Sequence, residues 1–384
     1  MTRPQADIPY YEYEQKLKSE KIPYYQPWLG EEELAQVTEC LRKNWISEGE
    51  KTRQFEERLA RMHQRKYALA VVNCTAALIM GLKAMGIGEG DEVIAPTFTF
   101  IASVNAIRLA GATPVLVDVD PKTFTLDLAQ VERALSLRTR ALMPVHLYGH
   151  PADMDGVMAL ARKHRLRVIE DTAQGLGVQY RGRPVGSFGE VACLSFFPDK
   201  AVTLGEGGLI MTDSDELFRE LLMLKNDGRL ERGIYLHDRI GYNFRITDLQ
   251  TAVGLAQLDK LPRIIEGKRR NVALYQEHLQ GVEGLEFTYQ APDCYVVPHR
   301  VNVLVDDPEA LEKHLSQQGI GSRRFYYPVH KQPCYRLPGS FPVAERLFAR
   351  GLSLPSAPTL REEQIALIAD KVKAHLLKLR QAAV

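Results

Sequence analysis

Lys200 stands in "SFFPDKAVTLGEGGLIMTD" (Ser195–Asp213), after one apolar run and before a loop that carries Gly205, Gly207 and Gly208. A lysine beside buried strands usually sends its charge out to water along its aliphatic stem. Here it belongs to a set of polar and aromatic residues that fall where short apolar runs end. "RVIEDTAQG" ends in Asp171 and Gln174, and "VVNCTAA" in Asn73, Cys74 and Thr75. "PTFTF" supplies Phe98 and Phe100, and "CLSFFPDK" supplies Ser195 and Lys200. Taken singly, each has an ordinary role: Asp171 as a turn or cap, Phe100 as core, Ser195 as a strand end. As a set they fit pyridoxal 5′-phosphate (PLP). A lysine amine forms a Schiff base with its aldehyde and must be deprotonated to do so, which burial and nearby positive charge favour. A carboxylate such as Asp171 keeps the pyridine nitrogen protonated, so the ring can accept electrons. Free N–H groups at a helix start, here Cys74 and Thr75, suit the phosphate. Phe100 offers a face for the ring, and Gln174 a partner for its hydroxyl. The glycines let the backbone turn tightly behind Lys200.

Such a set works only if one scaffold gathers it. From "YALAVVN" onward, short β-rich runs alternate with helical patterns: "DEVIAP", "TPVLVDVD", "RALMPVHLYG" and "RVIEDTA" are each followed or preceded by a helix, and "EVACLSF" and "GGLIMTD" close the series. Strands separated by helices predict an α/β fold with a mostly parallel, seven-stranded sheet covered on both faces. In such sheets ligands sit beyond the carboxyl ends of the strands, where these residues fall. "TDLQTAVGLAQLDKLPRIIEGKRRNVALYQEHL" reads as a long helix interrupted or kinked at Pro262. After it, one strand and two helices predict a smaller C-terminal α+β domain. The expected division is an N-terminal arm over 1–25, a large domain over 26–255 and a small domain over 256–384.

Composition narrows the function. The chain has 384 residues, 45% hydrophobic and 25% charged, with a net charge of +1. That balance gives no electrostatic case for nucleic acid or an anionic membrane. There is no apolar run of membrane-spanning length and no signal-peptide pattern. Five scattered cysteines without a CxxC fit reduced thiols in the cytoplasm. "GIGEGD" (Gly86–Asp91) follows a helix and precedes a strand, the reverse of a dinucleotide loop, and reads as a turn. In "HLYGHPAD", His146, His150 and Asp153 read as hydrogen-bonded loop residues rather than metal ligands, so no metal is expected.

"EDTAQGLGVQYRGRPVGSFGEVACLSFFPDKAVTLGEGGLIMTD" resembles the DegT/DnrJ/EryC1/StrS family of PLP-dependent nucleotide-sugar aminotransferases. The resemblance extends to "WISEGEKTRQFE", "GDEVIAPTFTFIASVNAI", "VHLYGHPADMD", "HDRIGYNFRITDLQTAVGLAQL" and "YYPVH". It implies fold type I of PLP enzymes, like aspartate aminotransferase, and pyridoxamine phosphate as the intermediate form of the cofactor. It also implies that Lys200 is the Schiff-base lysine and the acid/base. Asp171 would pair with the pyridine nitrogen, Gln174 with the ring hydroxyl and Phe100 with the ring face. Cys74, Thr75 and Ser195 would bind the phosphate. A homodimer with shared active sites is implied, in which Asn243 reaches the neighbouring subunit's cofactor. Cys74 stands where the family often has Gly or Ala, and Ala201 where Asn is frequent. One subgroup replaces the lysine with histidine and dehydrates its substrate; Lys200 argues against that here. "HLYGHPADMD", "HDRIGYNFRITD" and "FYYPVH" resemble most the subgroup that aminates C4 of GDP-4-keto-6-deoxymannose with L-glutamate. Substrate contacts are expected from Trp45, Ser47, His150, His237, Arg245 or Arg239, Tyr327 and His330. Amination at C4 or C3 of a UDP- or dTDP-linked keto sugar stays open, as does a non-enzymatic PLP or sugar-nucleotide sensor. A cysteine desulfurase, a decarboxylase and a nicotinamide dehydrogenase fit the residues less well.

Overall fold

A computed structural model of the chain describes residues 21–230, 233 and 235–383. The first part of the chain runs α1 (Glu31–Arg42), α2 (Glu50–Met62), β1 (Tyr67–Val71), α3 (Cys74–Ala84), β2 (Glu92–Pro96), α4 (Ala102–Ala110), β3 (Thr113–Val117), α5 (Leu128–Arg133), β4 (Thr139–Leu142), α6 (Met154–His164) and β5 (Arg167–Asp171). A short hairpin, β6 (Gln179–Tyr180) and β7 (Arg183–Pro184), leads to β8 (Val191–Ser195), β9 (Gly208–Thr212), α7 (Asp215–Lys225) and the long α8 (Asp248–His278). The remainder is β10 (Leu285–Phe287), β11 (Cys294–Tyr295), β12 (Val301–Val305), α9 (Pro308–Gln317), β13 (Arg323–Arg324), α10 (Pro342–Arg350), β14 (Gly351–Leu354) and α11 (Glu362–Ala383).

The seven expected strands form one sheet in the order β1-β9-β8-β5-β4-β2-β3. All neighbours are parallel except β9, which runs antiparallel to both β1 and β8. Strand residues alternate between two buried layers, as the period of two requires. Leu69, Val71, Val191 and Cys193 pack against α3, α4 and α7, with Leu78, Ile107 and Leu221. Ala68, Ala70, Ala192 and Leu194 pack against α2 and α8, with Phe55, Leu59, Leu258 and Leu261. Burial of both faces is what makes these strands read as continuous apolar runs.

The register brings Val71, Ser195 and Gly208 side by side, with Asp171 opposite Cys193. The carboxyl ends of β1, β5 and β8 thus share one edge with the start of β9. Gly208 makes that edge compact. A Cβ there would lie 2.3 Å from the carbonyl carbon of Asn73 and 2.6 Å from the Cys74 nitrogen. Only glycine lets β9 sit this close to the first turn of α3.

The C-terminal region holds an antiparallel four-stranded sheet, β10-β12-β14-β13, where one strand is legible in the sequence. Its core takes Val301, Val303, Leu352 and Leu354 from the sheet, and Leu311, Ile368 and Val372 from α9 and α11. A third, three-stranded sheet, β11-β6-β7, is made from pieces too short to show a periodicity. Of the expected interruption or kink at Pro262, the interruption is not observed: α8, 31 residues long, runs on through it. Proline forfeits one helical hydrogen bond, and burial of Leu258, Leu261 and Ile264 on either side holds the helix together. The expected division at 255/256 falls inside α8, whose early turns pack in the large-sheet core and whose Val272 and Tyr275 pack in the small-sheet core. Of the expected arm, residues 1–20 lie outside the described residues, and Ile22 bridges to Ile320 within the small-sheet core.

Candidate active site

Beyond the shared strand edge lies a chamber of about 590 Å³. Cys74, Thr75, Phe100, Asp171, Gln174, Ser195 and Lys200, seven of the residues marked out by the sequence, line it together. They come from four strand ends and two helix starts.

Asp171 closes β5 and is 4% exposed. Its Oδ2 accepts from the Ser103 hydroxyl at 2.6 Å, and its Oδ1 from the Ala173 N–H at 3.1 Å. Burial pushes its carboxyl up, against the pull of those two donors. Backbone bonds hold it on both sides: its N–H donates to Pro144 O at 2.9 Å, and its carbonyl accepts from His146 N at 3.1 Å. A buried carboxylate with so few donors suits a cationic ring nitrogen.

Asn73 caps α3, its Oδ1 accepting from Ala76 N at 2.8 Å. Cys74 and Thr75 are the first residues of the helix, where N–H groups have no acceptor inside the helix. The Cys74 thiol is buried and its pKa raised well above that of a free thiol by burial, so it presents backbone rather than thiolate. Ser195, at the end of β8, stands beside Gly208. A helix N-terminus, a serine and a strand with no Cβ in the way make a phosphate cradle.

Lys200 follows a turn in which its N–H donates to Phe197 O at 2.9 Å. Its Nζ is 2.8 Å from Asp199 Oδ1. Gln174 holds the chamber wall in place: its Oε1 accepts from Tyr148 N at 2.6 Å and its Nε2 donates to the Tyr326 hydroxyl at 3.0 Å. The ring of Tyr326 stacks on Tyr148 at 5.4 Å and lies 5.7 Å from Phe100, which is 54% exposed into the chamber mouth. Phe98, by contrast, is fully buried among Phe124, Tyr148 and Phe325.

The other expected residues do not line the chamber of this chain. His150 is buried, with Nδ1 2.9 Å from Pro151 O and Nε2 accepting from Ala291 N at 3.3 Å. His330 is buried between Thr97 Oγ1 (2.7 Å) and Glu345 Oε1 (3.3 Å). Arg245 donates to Asn226 Oδ1 at 2.9 Å and Asp227 Oδ2 at 2.8 Å, and Arg239 pairs with Glu220. His237 is exposed, 2.8 Å from Asp227 O. Tyr327 lies edge-on to Phe348, and Trp45 and Ser47 are exposed before α2. Asn243 is also exposed, bridged through its backbone to Asn226. His146 donates through Nε2 to Glu170 Oε2 at 3.1 Å, since its Nδ1 accepts from Ala152 N. Among the described residues no three or more His, Cys, Asp or Glu side chains are grouped to hold a metal ion.

Sequence reasoning missed the far wall. Tyr24 and Tyr25 enter from the N-terminal lead-in, and Arg300, Arg323, Arg324 and Tyr326 from the small-sheet region. The three arginines bring positive charge to the chamber that Asp171 also lines, which suits anionic substrates. The one available signal was "SRRFYY", two arginines running into aromatic residues.

The chain is similar to known proteins over most of its length. The model of the DegT/DnrJ/EryC1/StrS aminotransferase family matches residues 27–373. The chain is 40% identical over 356 residues to a GDP-perosamine synthase of Escherichia coli O157:H7, covering 91% of this chain and 97% of that protein. It is 42% identical over 333 residues to a UDP-N-acetyl-3-dehydro-alpha-D-glucosamine 3-aminotransferase of Acidithiobacillus ferrooxidans, covering 85% and 89%. Among solved structures it is similar to S. venezuelae DesV, determined with a ketimine intermediate, at TM-score 0.86 and 38% identity over 90% of this chain and 94% of that one.

Proposed function

The chain belongs to the DegT/DnrJ/EryC1/StrS aminotransferase family, and we propose that it moves the amino group of L-glutamate to the C4 ketone of GDP-4-keto-6-deoxymannose, giving GDP-perosamine. It is a PLP-dependent nucleotide-sugar aminotransferase of fold type I, with pyridoxamine phosphate as the intermediate form of its cofactor. The sugar assignment is supported by the 40% identity to a GDP-perosamine synthase over 91% of the chain. Amination at C3 of a UDP-linked sugar is the second reading, since the 42% identical relative is named for that activity.

One observation carries the site assignment: Lys200 and Asp171 line one chamber beside the start of α3. When bound, PLP supplies a carbonyl for the donor nitrogen and a ring that takes up electrons. Asp171 holds a proton on the ring nitrogen. Cys74 and Thr75 bind the phosphate through backbone N–H groups, and Ser195 through its hydroxyl. Gln174 orients the ring hydroxyl, and Phe100 covers one ring face. Lys200 Nζ would take up the proton released from the donor Cα and later return it, as base and then acid. Arg300, Arg323 and Arg324 draw the anionic substrates in. Asn243, exposed and away from this chain's own chamber, suits contact with the cofactor of a second subunit in a homodimer. The same reading gives Trp45, Ser47, His150, His237, Arg245, Tyr327 and His330 roles at or around the sugar nucleotide, and a cytoplasmic setting. No helix among the described residues is long and apolar enough to cross a membrane.

The test is amine transfer from glutamate, with GDP-4-keto-6-deoxymannose compared against UDP- and dTDP-linked keto sugars by mass spectrometry. GDP-perosamine as the preferred product, with 2-oxoglutarate released in equal amount, supports the proposal. Turnover of only the UDP or dTDP sugars overturns the sugar assignment and leaves the chemistry standing.

A further inference from the structure

Asp199 has no part in the chemistry above, yet it is the residue Lys200 touches. Lys200 Nζ lies 2.8 Å from its Oδ1. Its Oδ2 accepts from Arg300 Nη2 at 3.1 Å and lies 3.4 Å from His299 Nε2. Arg300 is itself wedged among the rings of Tyr24, Tyr148 and Tyr326, at 5.1, 5.8 and 5.1 Å. The Asp199 side chain is only 10% exposed. Burial alone would favour a neutral acid, but His299, Lys200 and Arg300 hold the carboxyl far below the usual range. Asp199 is therefore a fixed anion, with one oxygen anchored and the other turned to Nζ.

Lys200 occupies two states in the reaction. It is linked to the cofactor at rest, and free once the amino donor has taken its place. In that exchange the donor nitrogen bonds to the cofactor C4′ carbon and the bond from C4′ to Nζ breaks. The hydrogens that the donor's ammonium group gives up on becoming an imine pass to Nζ, which leaves as an ammonium group. We propose that Asp199 is the docking carboxylate of the freed Lys200, and that it shifts the balance between lysine-linked and lysine-free enzyme toward the lysine-free, amine-bearing form. The inference rests on the assignment of Lys200 made above. Asp199 acts through Lys200 and is a positioning residue. A group shifts such an equilibrium only by its difference in affinity for the two states. A freed, protonated Nζ gains an ion pair with Oδ1, at the 2.8 Å separation seen here, whereas an Nζ linked to the cofactor has no free ammonium group to offer.

The test is an equilibrium, not a rate. Purified holoenzyme is equilibrated with graded ratios of glutamate to 2-oxoglutarate at fixed pH, and the visible band of the lysine-linked form is followed. Wild type, Asp199→Asn and Asp199→Glu are compared, with cofactor content measured after release in alkali. The Asn variant is expected to load fully with PLP and to need a midpoint ratio about tenfold or more above wild type. The Glu variant should recover part of that shift. An Asn variant with the wild-type midpoint overturns the inference. So does a folded Asn variant that takes up no cofactor, because docking of the freed lysine leaves the linked form unharmed. If the Asn variant does not accumulate as folded protein, Asp199→Ser carries the same comparison. A wild type whose band ignores glutamate refutes the reading of the site itself, and the inference falls with it.

Discussion

Gly208→Ala tests whether the phosphate cradle is built by close packing of β9 on α3. No positive φ is required of Gly208, so alanine costs nothing in backbone conformation and its effect is steric alone. The new Cβ would lie 2.3 Å from Asn73 C, 2.4 Å from Asn73 O and 2.6 Å from Cys74 N. All three are backbone atoms, so no side chain can rotate away. Reaching ordinary contact moves the start of α3 and β9 apart by roughly 1 Å. Overpacking of this kind costs about 1–3 kcal/mol, which in a chain this long lowers Tm by about 2–6 °C. The same movement withdraws the Cys74 and Thr75 N–H groups from a phosphate. Loss of one hydrogen bond to a charged group is worth about 1.5–3 kcal/mol, or about ten- to a hundredfold in Kd. The assay is PLP titration of the apoprotein by absorbance, with a melting scan beside it. An alanine variant that binds PLP with the wild-type Kd would refute the cradle, whatever its Tm.

Two further substitutions separate chemistry from stability. Asp171→Asn should abolish more than about 99% of turnover, while the apoprotein at neutral pH melts at the wild-type temperature or a few degrees above. The sign follows from burial, which raises the Asp171 carboxyl in the folded state. Its stabilising protonation is complete below the unfolded value and lost as pH rises through the folded one, so the neutral-pH carboxylate is a net cost that Asn removes. A marked fall in apoprotein Tm would contradict this. Glu170→Gln should destabilise by about 3 kcal/mol or more, read by urea unfolding. Glu170 accepts from Gly186, Phe188 and Gly189 N–H groups, each at 2.7 Å, and from His146. An amide nitrogen in either position would face donors. Burial would raise the Glu170 carboxyl, but His146, Arg65 and the backbone donors hold it below its ordinary value. The difference from wild type should therefore be full above about pH 4.5 and close as pH falls through the lowered value. An unchanged gap at low pH would contradict it.

The half of the site that strands present was legible because strand ends announce themselves. Asn73–Thr75, Asp171 and Ser195 each follow an apolar run with β character, and a parallel sheet must bring such ends to one edge. The other half was not. Tyr24 and Arg300 meet across more than half the chain, and β13, which carries Arg323 and Arg324, is two residues long. No periodicity survives in elements of that length. His150, His330 and Arg245 stay with the sugar-nucleotide proposal, but a sequence does not show the partners that each already has within this chain. His150 is held by Pro151 and Ala291, and Arg245 by Asn226 and Asp227. At Pro262 local propensity allows an interruption, and burial on both sides keeps the helix continuous.

The central claim is that Lys200 carries the cofactor. A rival amine stands close by: Lys268 lines a second, small cavity together with Lys200, Gln174 and Ser195, and burial lowers its pKa to about 8. Reducing the holoenzyme with borohydride, digesting it and sequencing the labelled peptide by mass spectrometry distinguishes the two. The account predicts the pyridoxyl group on Lys200, with Lys268 unlabelled. A label on Lys268, or on neither lysine, would contradict it.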